Sequence, residues 1–168
     1  MKEYDLNLLF SKENLDKKFK EFLLSEKIKK QIIDDEEIKG HLAKTEHNLR
    51  FIQKQNIEFS DWIVVGCYYA CYHCALAATV YKGYASKNHL ATLVILIKEY
   101  YDKELSKEDF KLFSNLLDYH DILFYVETKN KREDASYSTK IHFDKAEVED
   151  LKLKTILFVS KLKELLNS

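Results

Sequence analysis

Residues 61–82 read DWIVVGCYYACYHCALAATVYK, and no residue from Ile63 to Tyr81 is formally charged when His73 is neutral. At about 3.6 residues per turn, Cys67, Ala70, Cys71, Cys74, Ala77 and Ala78 share one helical face. Each of those side chains is small, so another helix can approach that face closely. Val65, Tyr68, Tyr69, Tyr72 and Leu76 cover much of the remaining surface. A helix that is apolar nearly all round is either the buried centre of a bundle or a membrane span. The uncharged run lies near the lower end of the roughly 17–25 residues that cross a bilayer. It also holds tyrosines, a histidine and a threonine, and tyrosine favours the membrane interface over the hydrocarbon centre. We therefore read it as the central helix of a soluble bundle, with no membrane partner.

The remaining composition agrees with long helices. The chain has 168 residues, the length of one ordinary domain. It is 46% hydrophobic and 33% charged, so a sizeable core and a solvated surface are both available. It contains no proline and only three glycines, a poor supply for the tight turns of a β-sandwich. A formal net charge of −1 excludes a generally basic nucleic-acid coat but leaves room for a local basic patch. The first residues lack the apolar core and cleavage site of a secretory signal. The three cysteines lie too close together in sequence to suggest a disulfide framework. Together these features imply a cytoplasmic, reduced protein.

Working outward from the central helix, residues 1–33 read as a leading helical region, with Leu15, Phe19, Phe22 and Leu23 on one stripe and Ser11 as its cap. Residues 34–55 carry Ile38, Leu42, Thr45, Leu49 and Ile52 at steps of four and three. Acidic residues at positions 34–37 suit the positive end of the helix dipole. Ser60 is the expected cap of the central helix, and Gly83 its C-terminal stop. Further helices are expected over 87–103, from Ser106 to about Lys129, and over 144–166. Ser106 and Asp109 have capping-box spacing. The chain thus reads as an all-α, single-domain bundle of about five to six helices. Residues 34–166 form the bundle proper, closed by the last helix.

Three groups of residues bear on chemistry. Cys67, Cys71, His73 and Cys74 invite a zinc reading. Structural zinc sites, however, usually gather ligands from turns in separate segments, and a free cysteine packs as a small hydrophobe. We read the three thiols as core, with no metal and no cofactor. Tyr68, Tyr69 and Tyr72 could line a ligand pocket or simply fill the core. His73, His89 and His120 fall on different helices.

The third group is the polar stretch Lys129-Asn-Lys131-Arg132-Glu-Asp134-Ala-Ser-Tyr137. Lysine outnumbers arginine 25 to 2 in this chain, so the second arginine, Arg132, stands out. Its planar fork matches phosphate or carboxylate in a way lysine does not. Lys129 and Lys131 add cationic charge, Asp134 can hold the fork or accept a proton, and Tyr137 offers a hydroxyl and a stacking ring. The alternative is a solvated loop of mixed charge, in a helical interaction protein with no chemistry.

The central helix, the Gly83 turn, Ser86-Lys87-Asn88-His89 and Arg132-Glu-Asp-Ala-Ser-Tyr137 together resemble the HEPN superfamily, in a small stand-alone branch. HLAKTEHNLRFI, residues 41–52, resembles the helix that precedes the family's central one. The resemblance covers roughly residues 35–166. It implies a helical bundle that pairs as a homodimer and works with a nucleotidyltransferase partner in a toxin–antitoxin or defence pair. It also implies RNA or a nucleotide as ligand. Many members are metal-independent ribonucleases with an Arg-x4–6-His signature, which would place Arg132 in the catalytic position and Asp134 beside it. Here the signature reads Arg-x4-Tyr137, and His142 lies further on. That departure favours a binding role over cleavage, and by resemblance makes Tyr137 a target for nucleotidylation.

Overall fold

The computed structural model describes residues 6–103, 105–130 and 144–166; within 119–130 it describes the backbone alone. Among the described residues seven α-helices follow in order: α1 (Leu6–Leu9), α2 (Lys12–Leu24), α3 (Asp35–Lys54), α4 (Ser60–Tyr81), α5 (His89–Tyr100), α6 (Lys107–Asn130) and α7 (Lys145–Leu166). The described residues also form two three-residue strands, β1 (Ile28–Lys30) and β2 (Tyr84–Ser86). The architecture is an all-α bundle, as the periodicity implies.

Helix α4 is its centre and packs against α3, α5, α6 and α7. Its small-residue face is wholly consumed inside the bundle: Cys67, Ala70, Cys71, Cys74, Ala77 and Ala78 are all 0% exposed. Thr155 of α7 lies beside Cys67 and Cys71, and the Cys74 thiol faces the Val159 carbonyl. The Tyr100 hydroxyl of α5 donates to the Ala78 carbonyl at 2.9 Å. Close approach of helices, the use expected of small residues, thus happens within one chain. The stretch Ile57–Tyr81 has the length and hydropathy to cross a membrane, and 72% of its apolar window is buried in the bundle. The large apolar side chains left at the surface are Phe59, Trp62 and Tyr69 within that stretch, Leu153 and Leu157 of α7, and Leu8, Leu24, Ile32 and Ile33 in the leading region.

Most helix ends form as their residues dictate. Asp34 caps α3 by accepting from the Glu36 and Glu37 amides. Asn88 caps α5 by accepting from Ala91 N–H at 2.8 Å. Ser106 and Asp109 make the expected reciprocal box: the Ser106 amide donates to the Asp109 carboxylate at 2.8 Å, and the Asp109 amide to Ser106 Oγ at 3.3 Å. Gly83 follows α4 with φ +74°, a conformation glycine adopts without steric cost, and its amide donates to the Val80 carbonyl.

Three local expectations need correction. Ser60 does not cap α4. A 3₁₀ turn at Ile57–Phe59, capped by Asn56, runs directly into the helix, which leaves Ser60 as its first residue. Ser11 stands at the N-cap of α2, but its hydroxyl makes no capping bond. The leading region is not helical throughout, because Ile28–Lys30 forms β1, antiparallel to β2 in the register Ile28↔Ser86, Lys29↔Ala85, Lys30↔Tyr84. Glu26, with φ +54°, turns the chain out of α2 towards that strand.

Candidate functional site

The β1–β2 pair brings two lysines together from far apart in sequence. The Lys87 amide donates to the Lys27 carbonyl at 2.9 Å, extending the ladder by one step. Lys18 projects from α2 nearby, its ammonium 4.8 Å from the centre of the Phe22 ring; that of Lys27 lies 5.2 Å from the same ring. These three lysines, with Phe22, Tyr72, Asn88, His89 and Leu90, line a cleft of about 500 Å³. Lys18 is paired with Glu21 at 2.9 Å, and Lys87 lies 3.8 Å from Glu26, which also holds Lys29. Lys27 has no carboxylate partner among the described residues. The cleft also receives the first turn of α5, whose leading amides present the positive end of a helix dipole.

Behind the lysines stands a layer of rings. The Tyr68 hydroxyl meets His89 Nε2 at 2.8 Å, which fixes the histidine ring against α4. Tyr68 and Tyr72 stack with centroids 5.5 Å apart and planes 12° apart. Tyr72 in turn presents its ring to His89 at 4.8 Å, edge to face. Tyr68 is buried, whereas Tyr72 is half-buried and opens on the cleft. Burial pushes the Tyr72 phenol up, partly offset by a hydrogen bond with Thr92, so the ring stays neutral and stacks as an uncharged surface.

A second cluster joins this layer. His41 of α3 and His73 of α4 meet through their Nδ1 atoms at 3.1 Å, with ring centroids 5.4 Å apart. One Nδ1 must carry the proton and the other accept it. Burial holds His73 down at about 4, with His41 and Lys44 adding to the effect. Burial also lowers His41, against the pull of Glu37. Both rings are therefore neutral near pH 7. Two protonated rings would set two donors and two positive charges against each other.

The cysteines take no part. Burial pushes Cys67 up to about 11 and Cys74 to about 12, and Cys71 well above its ordinary value. They are free, buried thiols rather than the thiolates that bind metals or attack substrates. Among the described residues no group of three or more histidines, cysteines or carboxylates is placed to hold a metal ion.

Of the residues singled out in the sequence, Lys129 is the penultimate residue of α6. Lys131, Arg132, Asp134 and Tyr137 lie outside the described residues. Tyr72 and His89 do come together at one site, with Lys87 and Asn88 of the stretch 86–89. Sequence reasoning missed Lys18 and Lys27, which nothing in the local pattern links to residue 87. It also missed His41, whose partner lies on the next helix. The one available signal was Asn88, a good N-cap immediately before an apolar helical run. No family model matches this chain, and no curated protein matches it either.

Proposed function

We propose that the protein binds a phosphate-bearing ligand, RNA or a nucleotide, as a HEPN-like module in the cytoplasm. The observation that carries this reading is the cleft itself. Three lysines and a helix N-terminus supply positive charge, and Tyr72 and His89 supply ring faces, within one concave site. Phosphate needs the first and a base needs the second. The cleft also contains Lys87, Asn88 and His89, part of the stretch on which the HEPN resemblance rests. That resemblance supports homodimerisation and a nucleotidyltransferase partner in a toxin–antitoxin or defence pair. The alternative, a divergent metal-independent ribonuclease centred on Arg132, rests on residues outside the described ones.

Calorimetric titration with ATP at low salt, about 50 mM, tests the cleft. Binding should weaken in Lys27→Ala and Lys87→Ala, whose exposed side chains contribute little to stability. It should also fall as salt rises, because phosphate contacts release counterions. No heat of binding, or affinity indifferent to both substitutions, would sink the reading. Light scattering at micromolar concentration should return twice the 19.9 kDa chain mass if the homodimer forms.

A further inference from the structure

The side of α4 that faces solvent is as unusual as the side that faces the core. Trp62, Val65, Tyr69, Tyr72, His73 and Leu76 are the residues after Asp61 and before Tyr81 that the bundle leaves exposed or half-exposed. They recur at steps of three and four, so they form one outward stripe. None is charged near neutral pH, and four of the six are rings. Trp62 is 53% exposed and Tyr69 38%. Tyr69 and His73 lie nearly parallel, with planes 21° apart. Towards its C-terminal end the stripe borders the lysine cleft, because Tyr72 belongs to both. Lys44 stands beside His73, close enough to depress its protonation.

We propose that this stripe is a base-stacking track for single-stranded nucleic acid, whose phosphates are held by the lysine cleft beside it. The proposal rests on the phosphate-binding reading above and assigns it a ligand class and a path. Exposed rings also serve protein interfaces, but an apolar partner helix would leave the three lysines beside this stripe unmatched, whereas a phosphate backbone would not. A single strand offers neutral π-faces on its bases and negative charge on its phosphates, and the stripe and cleft answer both. From Trp62 to Tyr72 the helix rises about 15 Å. At about 3.4 Å per stacked nucleotide that accommodates roughly four bases, the lower end of the site sizes such platforms serve. A mononucleotide would fill the cleft and leave Trp62 untouched.

Trp62 is the chain's one tryptophan and so reports directly on the track. The test compares a labelled RNA of about 12 nucleotides, its DNA equivalent and ATP, by Trp62 fluorescence and anisotropy. The oligonucleotides should quench Trp62, and ATP should not. Tyr69→Ala and Trp62→Ala should each weaken oligonucleotide binding about tenfold, the scale of one lost stacking contact, with ATP affinity unchanged. Tyr69→Phe keeps the ring and should retain affinity, which separates stacking from any effect of the hydroxyl. Circular dichroism verifies that each variant is folded. The track is overturned if oligonucleotides bind no better than ATP, or if Tyr69→Ala leaves their affinity intact. In either case a Lys27-dependent affinity for ATP would leave the cleft reading standing, whereas absence of all binding would overturn both. Tyr69→Ala halving the mass in solution without changing nucleic-acid affinity would assign the stripe to a contact between copies, and the track would fall.

Discussion

Gly66 sits where α4 crosses α3, and there is no room for a side chain. A Cβ built on it would stand 2.5 Å from Ile52 Cγ2 and 2.9 Å from Phe51 Cδ1. Ile52 is fully buried, so it has nowhere to retreat. Gly66→Ala should therefore destabilise the protein by about 1–3 kcal/mol, although alanine is the better helix former. Urea denaturation measures this directly, and a stabilised variant would mean that α3 gives way. The His41–His73 contact makes a second prediction at this scale. Both histidines have folded-state values below the ordinary 6.5. The unfolded chain therefore binds more protons than the folded one as pH falls through that value. The stability gained by keeping the rings neutral is whole above about 6.5 and lost progressively towards about 4, where His73 titrates in the fold. Denaturant midpoints should thus fall between pH 7 and 4.5, and His73→Gln, which cannot take a proton, should flatten that fall. A parallel decline in both proteins would place the acid sensitivity elsewhere. His73 is partly solvated, so the flattening should be modest.

At the scale of elements, the junction before α6 ties the bundle's last two helices together. Asp109 accepts from the Ser106 amide and hydroxyl and also from Lys161 of α7 at 2.7 and 2.8 Å. Burial pushes its carboxyl up, but the Lys161 and Ser106 hydrogen bonds outweigh this and hold it below the ordinary carboxylate range. Asp109→Ala removes the cap partner and leaves Lys161 unpaired, and should cost about 1–2 kcal/mol in thermal or urea denaturation. Asp109→Asn keeps part of the box and should cost less. This box was legible in the sequence because its two residues are three apart and act locally. The same holds for the stripes: Phe19 and Phe22 on α2, and Ile38, Thr45 and Ile52 on α3, are buried as their spacing implies. The strands were not legible. Three residues carry no detectable period, and Lys27 and Lys87 become neighbours only through a pairing between segments far apart in the chain. The Ser60 cap failed for a different reason. A 3₁₀ turn needs no amphipathic pattern, so it added a turn to α4 that hydropathy does not mark.

For the whole molecule, two cationic regions bear on one proposed ligand: the cleft with Lys18, Lys27 and Lys87, and the sequence stretch 129–137. Their relation decides whether the protein has one extended binding surface or two separate ones. Arg132→Lys should already weaken binding of an RNA, because a point charge does not copy the bidentate fork, and Arg132→Ala should weaken it further. If both regions grip the same strand at well-separated points, the losses from Lys27→Ala and Arg132→Ala should add in free energy to within about 0.5 kcal/mol in the double variant. On the proposed reading ATP occupies the cleft alone, so it should respond to Lys27→Ala and ignore Arg132→Ala. By the HEPN resemblance, Tyr137→His would supply the histidine of the Arg-x4-His signature, a side chain suited to act as a general base near neutral pH. It should raise RNA cleavage above that of the wild type without changing the affinity for ATP. Anisotropy and a cleavage assay across these variants separate the two regions. RNA affinity indifferent to Arg132 but dependent on Lys27 would confine recognition to the cleft. Indifference to both would leave the lysines as solvated surface charge.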